Sequence, residues 1–184
     1  MKNKRIILAS SSPRRKELLK NHNIDFIVDF DNTDELLDNS LPIKKQLEKV
    51  AFNKGKNIAL KYQNDIVISA DTMVLCNNEL LGKAKDRNEA FKQLKMLSNN
   101  VQTVYTAVAI FKDKQQIVFV DESTVIFKKL TDEDINKYLD TGEYIGKAGS
   151  YAIQGIGQKL VKSITGDLEN IIGLPVYRIL PYLE

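Results

Sequence analysis

The sequence predicts an α/β protein, and three features predict it. Arg5–Ala9 is a short apolar strand that runs into Ser10-Ser11-Ser12 and then Pro13, where a helix can start. From Pro42 to about Tyr62 apolar residues recur at helical spacing, and the β-forming run Ile66–Ala70 follows directly. Beyond Val101, strands succeed one another across short turns, which makes that part antiparallel. A chain of 184 residues forms one large domain or two small lobes.

The first strand and helix are the most informative stretch. Ser12 is expected as the N-cap, its oxygen turned toward the first helical amides. Arg14, Arg15 and Lys16 then fall in the first turn, where the helix dipole is already positive. A bound anion, phosphate above all, would relieve that conflict. A solvated basic helix start is the competing reading.

Phe26-Ile27-Val28 reads as a second strand. Asp29, Asp31, Asp34, Glu35 and Asp38 make the following loop acidic, mostly as solvated carboxylates, with one or two available to a metal or to the basic turn. In the helix from Pro42, the stripe is Ile43, Leu47, Val50, Ala51 and Ile58, and Lys54 falls inside it. Such a lysine either snorkels outward or meets an anion. Asp71-Thr72 interrupts two apolar strand runs, Ile66–Ala70 and Met73–Cys76. A carboxylate there is costly to bury unless paired or metal-bound, so Asp71 is read as functional. Asn77-Asn78 predicts a tight hairpin returning through Glu79–Leu81, and Gly82-Lys83 brings a further lysine, equally readable as a surface residue.

Asp86 with Glu89 predicts a capping box before a helix whose inner face is Ala90, Phe91, Leu94 and Leu97. Val101–Phe111, Gln115–Val120 and Ser123–Leu130 read as three strands. Thr131 with Asp134 predicts another capped helix, stopped near Gly142. The stretch 142–157 is rich in glycine, which permits close backbone approach to a ligand, although a loop with several turns accounts for it equally. Leu160–Ile164 reads as a strand. Gly173-Leu174-Pro175 precedes a final helix with Val176, Ile179, Leu180 and Leu183 on one face.

Composition narrows the chemistry. With 43% hydrophobic and 28% charged residues the chain can fill a core. A net charge of +3 suits a small anionic ligand rather than DNA. Met1–Arg5 and the short run after it do not read as a signal peptide, and no stretch reaches membrane-spanning length, so the cytoplasm is the expected compartment. The single Cys76 and single His22 leave only oxygen ligands for any metal, hence a hard cation such as Mg²⁺ or Mn²⁺. Cys76 itself is expected to pack as a small apolar side chain.

These segments together resemble the Maf family of nucleoside triphosphate pyrophosphatases. The resemblance runs from about Arg5 to Arg178 and rests on five ordered blocks. They are Leu8-Ala9-Ser10-Ser11-Ser12-Pro13-Arg14-Arg15, Ser69-Ala70-Asp71-Thr72, Leu81-Gly82-Lys83, Gly149-Ser150-Tyr151-Ala152-Ile153-Gln154-Gly155, and Ile171-Ile172-Gly173-Leu174-Pro175. It implies a single domain, 1–184, of two α/β lobes about a long mixed β-sheet flanked by helices, with a central cleft. It implies metal-dependent hydrolysis of a nucleoside triphosphate to monophosphate and pyrophosphate. Asp71 matches the family's general base. Arg14, Thr72 and Gln154 match positions that separate subfamilies, and Thr72 with Gln154 fits the branch acting on dTTP and UTP. Ser10, Arg15, Glu35, Lys54 and Lys83 match other polar positions lining the family's cleft; of these, Ser10, Arg15, Lys54 and Lys83 are the expected phosphate contacts, and Glu35 with Asp71 the expected metal ligands.

The implied partner is the nucleotide, not a nucleic acid or membrane, with a homodimer an open option. Modified pyrimidine nucleotides are a further class of substrate. The family's association with septum formation supports an alternative, a nucleotide-binding regulator of cell division with little hydrolysis. Ala84, Gln102, Ala107 and Ile156 depart from the residues usual at their positions, which bears on substrate preference and turnover.

Overall fold

The computed structural model describes residues 4–32 and 36–184. In chain order the described elements are β1 (Ile6–Leu8), α1 (Pro13–Asn21), β2 (Ile27–Val28), α2 (Ile43–Lys61), β3 (Ile66–Cys76), β4 (Glu79–Leu81), α3 (Arg87–Leu97), β5 (Val101–Lys112) and β6 (Gln115–Phe127). They continue as α4 (Asp132–Asp140), β7 (Val161–Thr165), α5 (Leu168–Ile172) and α6 (Val176–Ile179), with 3₁₀ turns at Ile156–Leu160 and Leu180–Tyr182. The strands form one sheet in the order β2-β1-β3-β5-β6-β7, with β4 paired to β3. β1 runs parallel to both β2 and β3, Ile7 lying opposite Ile27 and Val67. β4 on β3 and β7 on β6 are antiparallel. The sheet is therefore mixed, as the resemblance implies.

The chain divides into two compact units. One comprises the described chain up to Asp71 with Thr106–Asp121 and Gly173–Glu184; the other comprises Thr72–Tyr105 and Glu122–Ile172. In the first, Ile66–Ala70 is buried throughout, as expected of a parallel strand covered on both faces. Leu18 and Leu19 of α1, Leu47, Val50, Ala51 and Ile58 of α2, and Leu174, Val176 and Ile179 complete that core. In the second, α3 and α4 lie side by side, tied by Arg87 to Asp140 at 2.8 Å and by Lys95 to Asp132. Ala90, Leu94, Leu97, Ile135, Leu139 and Phe127 are buried there.

Several turns follow their sequence chemistry. Asn77 and Asn78 both take positive φ, +49° and +63°, as a two-residue hairpin turn requires. Thr131 and Asp134 form the reciprocal capping box. Gly142 stops α4 at φ +73°. Cys76 is buried, and burial with nearby Glu79 pushes its thiol pKa up.

Other expectations are corrected. Ser12 is the N-cap of α1, but its side chain makes no capping bond. The Ser12 N–H is itself bonded, donating to Ser10 Oγ at 3.3 Å. Asp86 accepts the Glu89 N–H at 2.8 Å, yet Glu89 reaches back to the Lys85 N–H rather than to Asp86, so the box is incomplete. The two strands expected between Gln115 and Leu130 are one, because no turn interrupts pairing around Asp121-Glu122. The strand expected at Leu160 begins at Val161, after a 3₁₀ turn. The final helix is split into α6 and a 3₁₀ turn at Leu180-Pro181, since proline cannot supply the amide that would continue it. The short α5 was not anticipated.

Gly55 fixes how closely α2 approaches β3. A Cβ there would overlap Ser69 Oγ and stand 2.5 Å from Phe111 Cε2. Helix propensity alone favours alanine over glycine by about 1 kcal/mol. We expect overpacking to outweigh it, so that Gly55→Ala lowers stability by about 2 kcal/mol net and the thermal midpoint by about 4–8 °C. An unchanged midpoint in a thermal melt would show that Ser69 and Phe111 yield without cost.

Candidate active site

Ser69 and Asp71 are two residues apart on β3, so they share one side of the strand. α2 offers that side Ala51, Lys54 and Gly55, spaced three and four apart on one helical face. Ser69 Oγ donates to the Ala51 carbonyl at 2.7 Å. Lys54 Nζ donates to Asp71 Oδ1 at 2.5 Å. The two side chains are only 16% and 7% exposed, so Lys54 does not snorkel; it meets a carboxylate inside the protein. The glycine next to it lets the helix lie close enough for the lysine to arrive.

β1 ends beside this pair. Leu8 is in register with Ile68, and the Ala9 N–H donates to the Ile68 carbonyl at 2.7 Å. Ser10 and Asp71 therefore lie just beyond the parallel pairing, Ser10 after the carboxyl end of β1 and Asp71 within β3, which continues to Cys76. That end is where open α/β sheets place their ligands. Ser10 is buried, and its Oγ accepts from Arg15 Nη1 at 3.1 Å. Arg15 is also buried and donates through Nε to the Gly173 carbonyl at 2.8 Å. Part of its guanidinium thus anchors the C-terminal segment, while its charge stays beneath the strand end. Arg14, its neighbour on α1, is half-buried.

The second unit carries Thr72, Lys83 and Gln154. Thr72 is half-buried on β3, and Lys83 and Gln154 are exposed. Lys83 forms an antiparallel bridge with Ala148. The Gly82 carbonyl accepts the Gly149 N–H and Gln93 Nε2, both at 3.2 Å, and Ser150 Oγ donates to Gln93 Oε1 at 2.5 Å. Gly149 and Ser150 both take left-handed φ, +67° and +62°. A Cβ on Gly149 would stand 3.0 Å from Val74 Cγ2. The lysine segment and the start of the glycine-rich loop are thus one bonded structure.

The rest of that loop depends on Glu143, which the sequence reading did not single out. Its Oε1 accepts the Ile156 N–H and its Oε2 the Gly157 N–H, both at 2.8 Å. Burial works to raise the Glu143 pKa, but the Gly157 and Ile156 N–H bonds and the Tyr138 hydroxyl prevail and hold it below the ordinary range. A Cβ at Gly155 would fall on Glu143 Oε1, so a side chain there would displace the carboxylate from its backbone partners. The glycines at 155 and 157 thus serve a close approach within the protein. Nothing in the sequence flags Glu143 beyond its place after a helix-stopping glycine, whereas a glycine inside a predicted helix was a usable signal for Gly55.

Among the described residues no group of three or more His, Cys, Asp or Glu could hold a metal. Glu35 lies outside the described residues. Asp29 pairs with Lys61 and accepts the Tyr62 hydroxyl, and Asp38 pairs with Lys49, so these two members of the acidic loop face lysines. The Lys49 and Ser40 contacts lower Asp38 to a pKa of about 2. Asp71 remains as one oxygen donor. Magnesium is commonly held by one or two carboxylates, completing its shell with water and substrate phosphates. Among the described residues Asp71 offers one carboxylate, its Oδ1 engaged by Lys54, and there is no closed protein cage.

Fold and site together define a mixed-sheet α/β protein with a largely buried lysine–aspartate pair, a buried serine and a buried arginine just beyond the parallel pairing of β1 and β3. Comparison with known proteins gives the family. The family described as Maf-like protein matches residues 5–184. A dTTP/UTP pyrophosphatase from Thermoanaerobacter sp. (strain X514) is 44% identical over 183 residues, covering 98% of this chain and 95% of that protein. Proteins of the same name from Acholeplasma laidlawii (strain PG-8A) and Clostridioides difficile (strain 630) are 41% and 43% identical, covering 97% and 95% of this chain and 95% and 91% of theirs. The chain belongs to the Maf family.

Two outcomes follow from the geometry. Lys54→Met leaves Asp71 buried without its cation and should cost about 3 kcal/mol in denaturant unfolding. Adding Asp71→Asn should restore part of that loss, whereas strictly additive losses would show the pair to be uncoupled. Glu143 has a folded pKa below its ordinary 4.5, so its contribution is present above that pH and lost as pH falls through the lower folded value. Glu143→Gln should therefore flatten the fall in stability below pH 4.5. An acid-unfolding profile parallel to that of the unsubstituted protein would contradict this.

Proposed function

We propose that this protein is a nucleoside triphosphate pyrophosphatase that cleaves dTTP and UTP to the monophosphate and pyrophosphate. The observation that carries the reading is the largely buried Lys54–Asp71 pair just beyond the parallel pairing of β1 and β3, in a chain whose relatives at 41–44% identity are named dTTP/UTP pyrophosphatases. A triphosphate brings several negative charges, and the cations proposed to meet them are Arg14, Arg15, Lys54 and Lys83. Ser10, shortly before α1, adds a hydroxyl, and the first turn of α1 adds the positive end of its dipole.

Asp71 takes the proton from the water that attacks the α-phosphorus, and the bond to the leaving pyrophosphate breaks. Lys54 fixes the orientation of that carboxylate and contributes positive charge. The remaining cations neutralise charge gathering on pyrophosphate, the electrostatic effect that dominates phosphoryl chemistry. A divalent cation, Mg²⁺ or Mn²⁺, would be held by Asp71, with Glu35 as the second expected ligand, and when bound it neutralises phosphate charge and orients the water. Thr72 and Gln154 hydrogen-bond the pyrimidine edge and discriminate because a wrong base leaves them unpaired. Modified pyrimidine triphosphates fall within the same reading.

Among the described residues no helix is long and apolar enough to cross a membrane. The mild charge of +3 supports free nucleotide rather than nucleic acid as the partner, and the cytoplasm is the compartment proposed for an enzyme of free nucleotides.

The deciding assay is pyrophosphate release from a panel of nucleoside triphosphates, with and without Mg²⁺ or Mn²⁺. Metal-dependent cleavage of dTTP and UTP with purines spared is the expected result. Asp71→Asn should lower kcat by about 10²–10⁴-fold while nucleotide binding persists. Equal rates for the variant and the unsubstituted protein would remove Asp71 from the chemistry. Tight binding without turnover would favour the regulator of cell division.

A further inference from the structure

We infer that Glu143, with Tyr138, is a positioning residue for base selection: together they clamp the backbone on both sides of Gln154. The inference rests on the pyrimidine-nucleotide reading proposed above. Gln154 is exposed, on a loop without regular strand or helix. An exposed side chain discriminates between bases only if the backbone beneath it is held still, because each loose degree of freedom blurs the hydrogen-bond geometry.

The loop is held from one side by the end of α4 and the residues just after it. Tyr138 on α4 is buried, and its hydroxyl accepts the Ala152 N–H at 3.2 Å while donating to Glu143. Glu143 spans Ile156 and Gly157 with one oxygen each, at 2.8 Å. Three backbone N–H groups, two residues before Gln154 and two and three after it, are thus tied to two side chains that are bonded to each other. The glycines fit this arrangement. A Cβ at 155 would fall on the carboxylate, and one at 157 would stand 2.5 Å from the Ala152 carbonyl and 3.1 Å from the Tyr138 hydroxyl. Gly142 at φ +73° ends α4 immediately before Glu143, and Thr141 Oγ1 accepts the Glu143 N–H at 3.2 Å. The carboxylate therefore starts from a fixed point. A carboxylate suits the task because it has acceptors on both oxygens, whereas an amide would turn an N–H toward one of the backbone donors.

The test uses the full chain with Glu143→Gln and, as a second lever, Tyr138→Phe, which keeps the buried ring. Amide hydrogen exchange over residues 152–157 reads the clamp directly. Steady-state kinetics on dTTP, UTP and a purine triphosphate read base selection. We expect exchange at Ile156 and Gly157 in the Glu143 variant to rise about tenfold. KM for dTTP and UTP should rise about tenfold with kcat changed much less, and the preference over the purine should shrink by a similar factor. Faster exchange with KM and preference unchanged would overturn the inference, since the loop would then be loosened without consequence for the base. Unchanged exchange would overturn the clamp itself. If the unsubstituted protein cleaves no triphosphate, the pyrophosphatase reading fails on its own. Equilibrium binding of pyrimidine and purine triphosphates to the same variants then replaces KM, and absence of a base preference to lose overturns the inference as well.

Discussion

The close packing of α2 on β3 is the constraint on which the candidate site depends. An aspartate placed after five buried residues of a parallel strand is tolerable only with a cation at hand. Lys54 supplies it from the neighbouring helix, and the helix can come near enough because residue 55 has no side chain. Ser69 closes the same contact by donating to the Ala51 carbonyl. Asp71, Lys54, Ser69 and the missing side chain at Gly55 thus convert an otherwise apolar packing surface into a charged site. Buried ion pairs seldom add much stability over an apolar alternative. That makes this one easier to understand as a feature kept for chemistry than as one kept for folding.

Around it the charges divide into those committed to the protein and those placed at its edge. Arg15 is partly spent on the Gly173 carbonyl and Ser10, which fixes the approach of the C-terminal segment to the head of α1. The acidic residues Asp29 and Asp38 are held by Lys61 and Lys49 rather than gathered into a metal cage. In the second unit the same economy of backbone bonds recurs. Gln93 and Ser150 lock the segment of Lys83 to the start of the glycine-rich loop, and Tyr138 and Glu143 hold the rest of that loop. Binding residues on loops are useful when a rigid scaffold sets them, and here side-chain to backbone bonds supply the rigidity that regular structure does not.

Much of this was legible in the sequence because it is local. Period and punctuation determined the strand–serine–helix opening, the stripe of α2, the Asn77-Asn78 hairpin and the capping box at Thr131. Composition determined that any metal here must find oxygen ligands. The anomaly of an aspartate between apolar runs singled out Asp71, and a lysine inside an apolar stripe singled out Lys54. The sequence could not say that these two anomalies answer each other, since they sit on different elements and nothing local records the distance between them. For the same reason it gave Ser12 a capping bond that its side chain does not make, and divided β6 where the strand continues. Glu143 was invisible because a carboxylate that accepts backbone N–H groups thirteen and fourteen residues away looks, in one dimension, like any surface glutamate. Residue chemistry and periodicity are properties of neighbours in the chain. Pairing of charges and the anchoring of loops are properties of neighbours in space, and only the tertiary structure decided those.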